Sequence, residues 1–191
     1  MLSERVSIVR LTGLLIATVL AGAPLMASAV GGVIVQEQRG AYRVTARFQV
    51  PESPAAVLAV LTDYEQIPRF MPEVKTSMVR SRSGGRVMVE QEAEARTLMF
   101  SKRIRLLLDI HETVDGLSFV DRAGASFTEY EGSWRLVAAD GQTEVIYELR
   151  ARPGFDVPRF VLARAMRKDA TRMIAQLQAE IAARAAVAEG E

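Results

Sequence analysis

The chain has 191 residues, of which 49% are hydrophobic and 25% charged, which describes a globular protein with about one domain's worth of chain once any targeting segment is removed. A formal net charge of +1 argues against a dedicated nucleic-acid binder, because such proteins carry a concentrated basic surface. The absence of cysteine removes disulfides, thiol catalysis and thiolate ligands, and with His111 as the single histidine no metal site of the usual zinc type is expected.

At the N-terminus, Arg5 and Arg10 precede an apolar run from Leu11 to about Leu25, followed by the small residues Ala27-Ser28-Ala29. This order predicts a signal peptide over 1–29, cleaved after Ala29, and a mature protein that is periplasmic or secreted. The other reading is a retained anchor, but the run is short for a bilayer and is interrupted by Gly13, Gly22 and Pro24.

The mature part opens with two strand-like runs, Val33 to Gln38 and Tyr42 to Val50, around Arg39-Gly40. In the second run Tyr42, Val44, Ala46, Phe48 and Val50 alternate with polar residues, giving one apolar and one wet face. Ser53 and Pro54 then start a helix, as cap and first-turn residue, whose stripe is Val57, Leu58 and Leu61. Asp63 and Gln66 have the spacing of a capping box that would open a second short helix, which Pro68 and Pro72 end.

Strand signals follow. Val74 to Ser81 and Val87 to about Ala95 form a hairpin around Ser83-Gly84-Gly85. From Leu98 to Val114, Phe100, Ile104, Leu106, Leu108 and Ile110 fall on one side, with Ser101, Arg103, Arg105, Asp109 and His111 on the other and only Lys102 and Leu107 out of place. Asp115-Gly116 leads into Leu117 to Asp121, a polar segment separates this from Tyr130 to Ala138, and Asp140-Gly141 joins that strand to Thr143 to Arg150. These are antiparallel signals, and the lack of strand–helix alternation excludes a doubly wound parallel sheet.

After Pro153-Gly154 the period changes. From about Val157 to Arg184, Phe160, Ala163, Met166, Ala170, Met173, Ile174, Leu177 and Ile181 recur at helical spacing. Burying the five or so large residues of this stripe contributes roughly 8–15 kcal/mol as an upper bound, so the helix is expected to dock on the sheet. The folded domain is placed at 33–186, with 187–191 as a disordered tail.

The motif Leu61-Thr62-Asp63-Tyr64-Glu65, continued by Ile67-Pro68-Arg69-Phe70-Met71-Pro72, then Tyr130-Glu131-Gly132-Ser133-Trp134, then Tyr147 and Pro158, resembles the START-like, helix-grip superfamily. Within it the chain is similar to the polyketide cyclase/dehydrase and coenzyme Q-binding branch, over roughly Gly40 to Arg184. The resemblance implies an α+β fold: a curved antiparallel sheet wrapped around a long C-terminal helix, with two short helices after the first core strand. It also implies a cavity between sheet and helix that takes up hydrophobic molecules.

Such pockets are mostly apolar with a few polar groups. The wall residues expected are Phe70 and Met71 at the insertion, Val89, Phe100, Ile104, Phe119, Trp134 and Tyr147 on strands, and Met166, Met173 and Leu177 on the helix; ordinary core packing accounts for the same residues. The function expected is binding or transfer of a hydrophobic small molecule, a lipid or an isoprenoid quinone, with no cofactor, no metal and no nucleic acid. The alternatives are a cyclase/dehydrase-like enzyme using the same cavity, for which Tyr147 and Glu90 are the only acid–base candidates, and an interaction module with a filled cavity. No catalytic residue is assigned. Asp109 and His111 sit two apart on the charged strand face, where a solvated ion pair accounts for them better than catalysis. Arg43, Arg47, Arg103 and Arg105 form either a basic strand face for transient contact with anionic membrane surfaces or simply wet sheet. No Ser-His-Asp spacing, phosphate-cradling glycine loop or dinucleotide fingerprint is present.

Overall fold

Alternation at a period of two builds one curved, eight-stranded sheet. In a computed structural model that describes residues 31–96, 101–156, 158–188 and 190, the strands are β1 (Gly31–Gln38), β2 (Ala41–Val50), β3 (Val74–Ser83), β4 (Arg86–Arg96), β5 (Ser101–Thr113), β6 (Gly116–Asp121), β7 (Phe127–Ala139) and β8 (Gln142–Pro153). Their order is β1-β2-β8-β7-β6-β5-β4-β3, with every neighbouring pair antiparallel. The expected signal peptide and Phe100 lie outside the described residues. Tight turns set several registers: Gly84-Gly85 and Asp140-Gly141 hold positive φ at both positions, as two-residue hairpin turns require.

Three helical pieces complete the fold: α1 (Pro54–Leu61), a 3₁₀ turn (Tyr64–Gln66) leading into α2 (Ile67–Phe70), and the long α3 (Arg159–Ala188). The Ser53 Oγ accepts the Ala56 amide at 3.3 Å, so the expected cap of α1 is present. The Asp63–Gln66 capping box is not. Asp63 makes no side-chain cap, and its carboxylate instead meets Arg184 of α3 at 2.9 Å, while Gln66 accepts from Arg69. A cation from a distant helix competes for a carboxylate that local spacing alone assigns to the backbone. At the same break the Tyr64 hydroxyl donates to Glu112 at 2.7 Å, and Arg82 donates to that carboxylate at 2.9 Å, tying the insertion to β3 and β5.

Helix α3 lies against β1 and β2 on one flank and α1 and α2 on the other, with Ala170, Ile174, Leu177 and Ile181 buried at helical spacing. It runs to Ala188, so Val187 and Ala188, assigned to the tail by sequence, belong to the helix. Phe160 shares the stripe by spacing but is 77% exposed. Period selects a face of a helix; it does not say whether anything lies beneath the first turn. Strand β7 starts at Phe127, three residues before the pattern indicated, because Phe127 packs inward across a register shift.

Within the recognised Tyr130-to-Trp134 stretch, Gly132 has a steric reason: a Cβ there would meet the Glu148 carbonyl and sit 2.6 Å from the Phe119 ring. Ile174→Ala, at a fully buried position, is expected to lower the unfolding free energy by about 2–5 kcal/mol in urea titration, against less than about 0.5 kcal/mol for Phe160→Ala. Equal losses at the two positions would mean that α3 does not bury the face described.

Candidate functional site: the space beneath the last helix

Small residues leave the room. Where sheet and helix pack solid, the inward side chains are large: Val87, Val89, Val145, Ile174 and Ile181 are essentially sealed. Nearer the N-terminal half of α3 the facing positions are Ala93 and Ala95 on β4 and Ala165 and Ala170 on the helix, and between these elements lies a cavity of about 340 Å³. That volume is within the range of small-molecule pockets, roughly 300–1,000 Å³.

Of the residues expected on the wall, Phe70, Met71, Ile104, Phe119, Trp134, Tyr147, Met166, Met173 and Leu177 line this one cavity. Val89 does not: it is buried in the solid part of the core, paired with Val79 and Leu108. Phe100 is outside the described residues. Sequence reading missed Tyr130, Phe127, Phe155, Leu162 and the polar wall residues Glu73, Gln91, Glu94, Asp169 and Gln176. The signal that could have found Asp169 is its place three residues after Met166 and four before Met173, on the edge of the apolar stripe.

The polar groups fall into two sets. At the gap between α3 and the β3–β4 edge, Glu73 is ion-paired with Arg172 and accepts from Gln176 at 3.2 Å; the Glu94 amide donates to the Glu73 carbonyl at 2.8 Å. Burial acts to raise the Glu73 carboxyl, but the hydrogen bonds from Arg172, its own backbone and Gln176 outweigh it and hold the group below its ordinary value. Asp169 makes no hydrogen bond or ion pair with the described residues, and burial pushes its carboxyl up, opposed by Arg172 and reinforced by Glu73.

The second set is aromatic. Trp134 and Tyr147 stack with centroids 4.4 Å apart, and Tyr130 lies between Phe119 at 5.9 Å and Phe127 at 4.9 Å. Burial, with Asp121 adding, raises the Tyr130 hydroxyl to about 12. Burial, with Tyr130 adding, holds that of Tyr147 well above its ordinary value. At neutral pH both hydroxyls therefore keep their protons and can donate hydrogen bonds.

The remaining candidates lie elsewhere. Glu90 points outward and is ion-paired with Arg80, because β4 alternates and its neighbours Val89 and Gln91 take the inward side. Asp109 is held by Arg122 at 2.7 Å and Arg86 at 3.3 Å instead of by His111, which is exposed on the outer face. The four arginines do not make one basic patch: Arg43 and Arg47 on β2 are separated from Arg103 and Arg105 on β5 by β8, β7 and β6. Arg47 and Arg105 also face Glu144 and Glu92. Among the described residues no group of three acidic, histidine or cysteine side chains is placed to hold a metal, and no helix is long and apolar enough to cross a membrane.

A sheet that grips a long terminal helix around an apolar cavity defines the helix-grip class of START-like proteins. The sequence pattern of the polyketide cyclase / dehydrase and lipid transport family matches residues 50–178, and the chain belongs to that family. Solved structures share the fold. An aromatase/cyclase from Streptomyces sp. R1128 superposes with a TM-score of 0.67 at 12% identity, covering 76% of this chain and 96% of its own. A START superfamily protein from Mycobacterium smegmatis gives 0.64 at 16%, covering 73% and 96%. A STAR-related lipid transfer protein from Xanthomonas axonopodis gives 0.57 at 16%, covering 78% and 98%. No curated protein matches the sequence.

Asp169→Asn is expected to raise the urea midpoint at neutral pH. A carboxyl whose folded value is raised costs stability above that value, and the cost vanishes once pH falls below the unfolded value near 4, so the gain should disappear there. A loss of stability at neutral pH would show instead that the charged form of Asp169 is favoured where it sits.

Proposed function

We propose that this protein binds and transfers a hydrophobic small molecule, a lipid or an isoprenoid quinone-like compound, in the space between the sheet and α3, and that it does so in the periplasm or outside the cell. The cavity of about 340 Å³, walled by Leu, Ile, Met and aromatic side chains, carries the reading. Apolar surface left facing a void is stabilised by any apolar guest that covers it, at about 25 cal/mol per Å². A void of this size speaks against the filled interaction module. The compartment rests on the signal-peptide pattern of the first 29 residues.

Exchange with a membrane surface is supported by the outer face of α3. There Phe160 is exposed close to the cavity-lining Leu162, beside Arg159, which also faces Glu37, and the exposed Arg164, Arg167 and Lys168 follow over the next two turns. An exposed aromatic ring at the start of a helix that carries cations along its exposed side suits an anionic lipid interface better than the split strand arginines do.

The second reading is a cyclase/dehydrase-like enzyme in the same cavity. It is favoured by one observation: Asp169 and Tyr147 both line the wall with no hydrogen-bond or ion-pair partner for their side chains among the described residues, and groups of that kind can move protons on a held substrate. The carrier reading is preferred because the wall is mainly apolar and, among the described residues, no acid and base are paired across it.

Ala165→Trp places a large ring in the cavity. It is expected to reduce uptake of a fluorescent lipid at least tenfold while circular dichroism is unchanged. Denaturing mass spectrometry of an organic extract of the purified wild type should show a co-purifying apolar compound that the variant lacks. No such compound, together with no uptake by the wild type, would overturn the proposal.

A further inference from the structure

The wall of the cavity has an electrostatic sign. Among the described residues its ionisable acids are Glu73, Glu94 and Asp169, and none of the described residues that line it is a lysine, arginine or histidine. Arg172 is paired with Glu73, Lys102 lies over the Phe155 ring at 5.0 Å, and the exposed Lys168 acts on Asp169. Moving a full negative charge out of water to a place beside carboxyl groups costs more than a few neutral donors return, so this wall resists a carboxylate or phosphate.

The wall also offers donors that lack acceptors. Tyr147 is 4% exposed and Trp134 8%, yet neither the Tyr147 hydroxyl, the Tyr130 hydroxyl nor the Trp134 indole N–H has a hydrogen-bond partner among the described residues. These atoms are not sealed by protein: among the described residues, the fully enclosed side-chain polar atom without a partner is Gln178 Nε2 on α3. The Tyr147 hydroxyl therefore borders open space, and for a residue of this burial on this wall that space is the cavity. Buried donors of this kind take an acceptor from whatever occupies the site.

We infer that the guest is an uncharged, mainly apolar molecule whose one hydrogen-bond-accepting oxygen, a ketone, ester or hydroxyl oxygen, sits against the Tyr130 and Tyr147 hydroxyls, and that anionic amphiphiles such as free fatty acids and phosphorylated lipids are excluded. This inference rests on the carrier reading and narrows it. At about 30 Å³ per water-sized unit, the space holds on the order of a dozen non-hydrogen atoms, so the buried part of the guest is that large and any longer tail extends through the gap at the α3 and β3–β4 edge.

The test is displacement of N-phenylnaphthylamine, an uncharged fluorophore, from the full-length mature protein at neutral pH by three guests of one length: undecane, methyl nonyl ketone and undecanoate. The ketone is expected to displace the probe at concentrations about tenfold below undecane and at least tenfold below undecanoate. In the Tyr130→Phe/Tyr147→Phe variant the advantage of the ketone over undecane should be lost. Undecanoate competing as well as the ketone would overturn the inference while leaving the carrier reading intact. So would a ketone advantage that survives loss of both hydroxyls. Failure of the probe and of every guest to bind would remove both. If the double variant does not fold, the single variant Tyr147→Phe should still shrink the ketone's advantage over undecane, and a full advantage kept there, or no advantage on the wild type, overturns the inference.

Discussion

Helix α3 is held unevenly, and the rest of the structure depends on that. Its C-terminal half is seated by Ile174, Leu177 and Ile181, each at 2% exposure or less, which together contribute roughly 5–9 kcal/mol as an upper bound. The ion pairs on its flank, Arg172 with Glu73 and Arg184 with Asp63, are partly exposed and individually worth little, so they orient the helix more than they hold it. The N-terminal half faces alanines across a gap. A helix anchored at one end and spaced at the other is what turns a core into a container.

Much of the fold was legible because it rests on local periodicity. Strict alternation in β2 and β5 fixed which face each buries, and the change to helical spacing after Pro153 located α3. What failed required partners far away in sequence. The Asp63 carboxylate meets Arg184, Glu90 faces Arg80, and Asp109 is taken by Arg86 and Arg122, none of which spacing along one element reveals. Most wall residues were found by looking for large apolar side chains on inward faces, and Val89 was misplaced for the same reason. An inward valine fills a core as readily as it lines a void. The void itself is the work of Ala93, Ala95, Ala165 and Ala170, whose effect appears only when the two elements are brought together.

The polar part of the wall bears most directly on function. An apolar chamber alone fits a carrier, a cyclase or a storage protein equally well, and fold similarity at 12–16% identity does not choose among them. Hydroxyls without a partner among the described residues on one side and the part-buried Asp169 carboxyl on the other do discriminate, since they set which molecules can leave water for this interior. Both sets are on secondary-structure elements and not on loops, which keeps their positions fixed as a guest enters.

The most direct measurement of the central claim is the methyl spectrum of methionine in the folded protein as an apolar guest is added. The chain offers built-in reporters: Met71, Met166 and Met173 line the chamber, while Met78 is 45% exposed and Met88 lies on the outward side of β4. Carbon-13 labelling of the methyl groups should show saturable shifts at the three wall methionines and constancy at Met78 and Met88. Shifts confined to Met78 and Met88, or none at all with a guest that binds, would place the guest elsewhere and contradict the account.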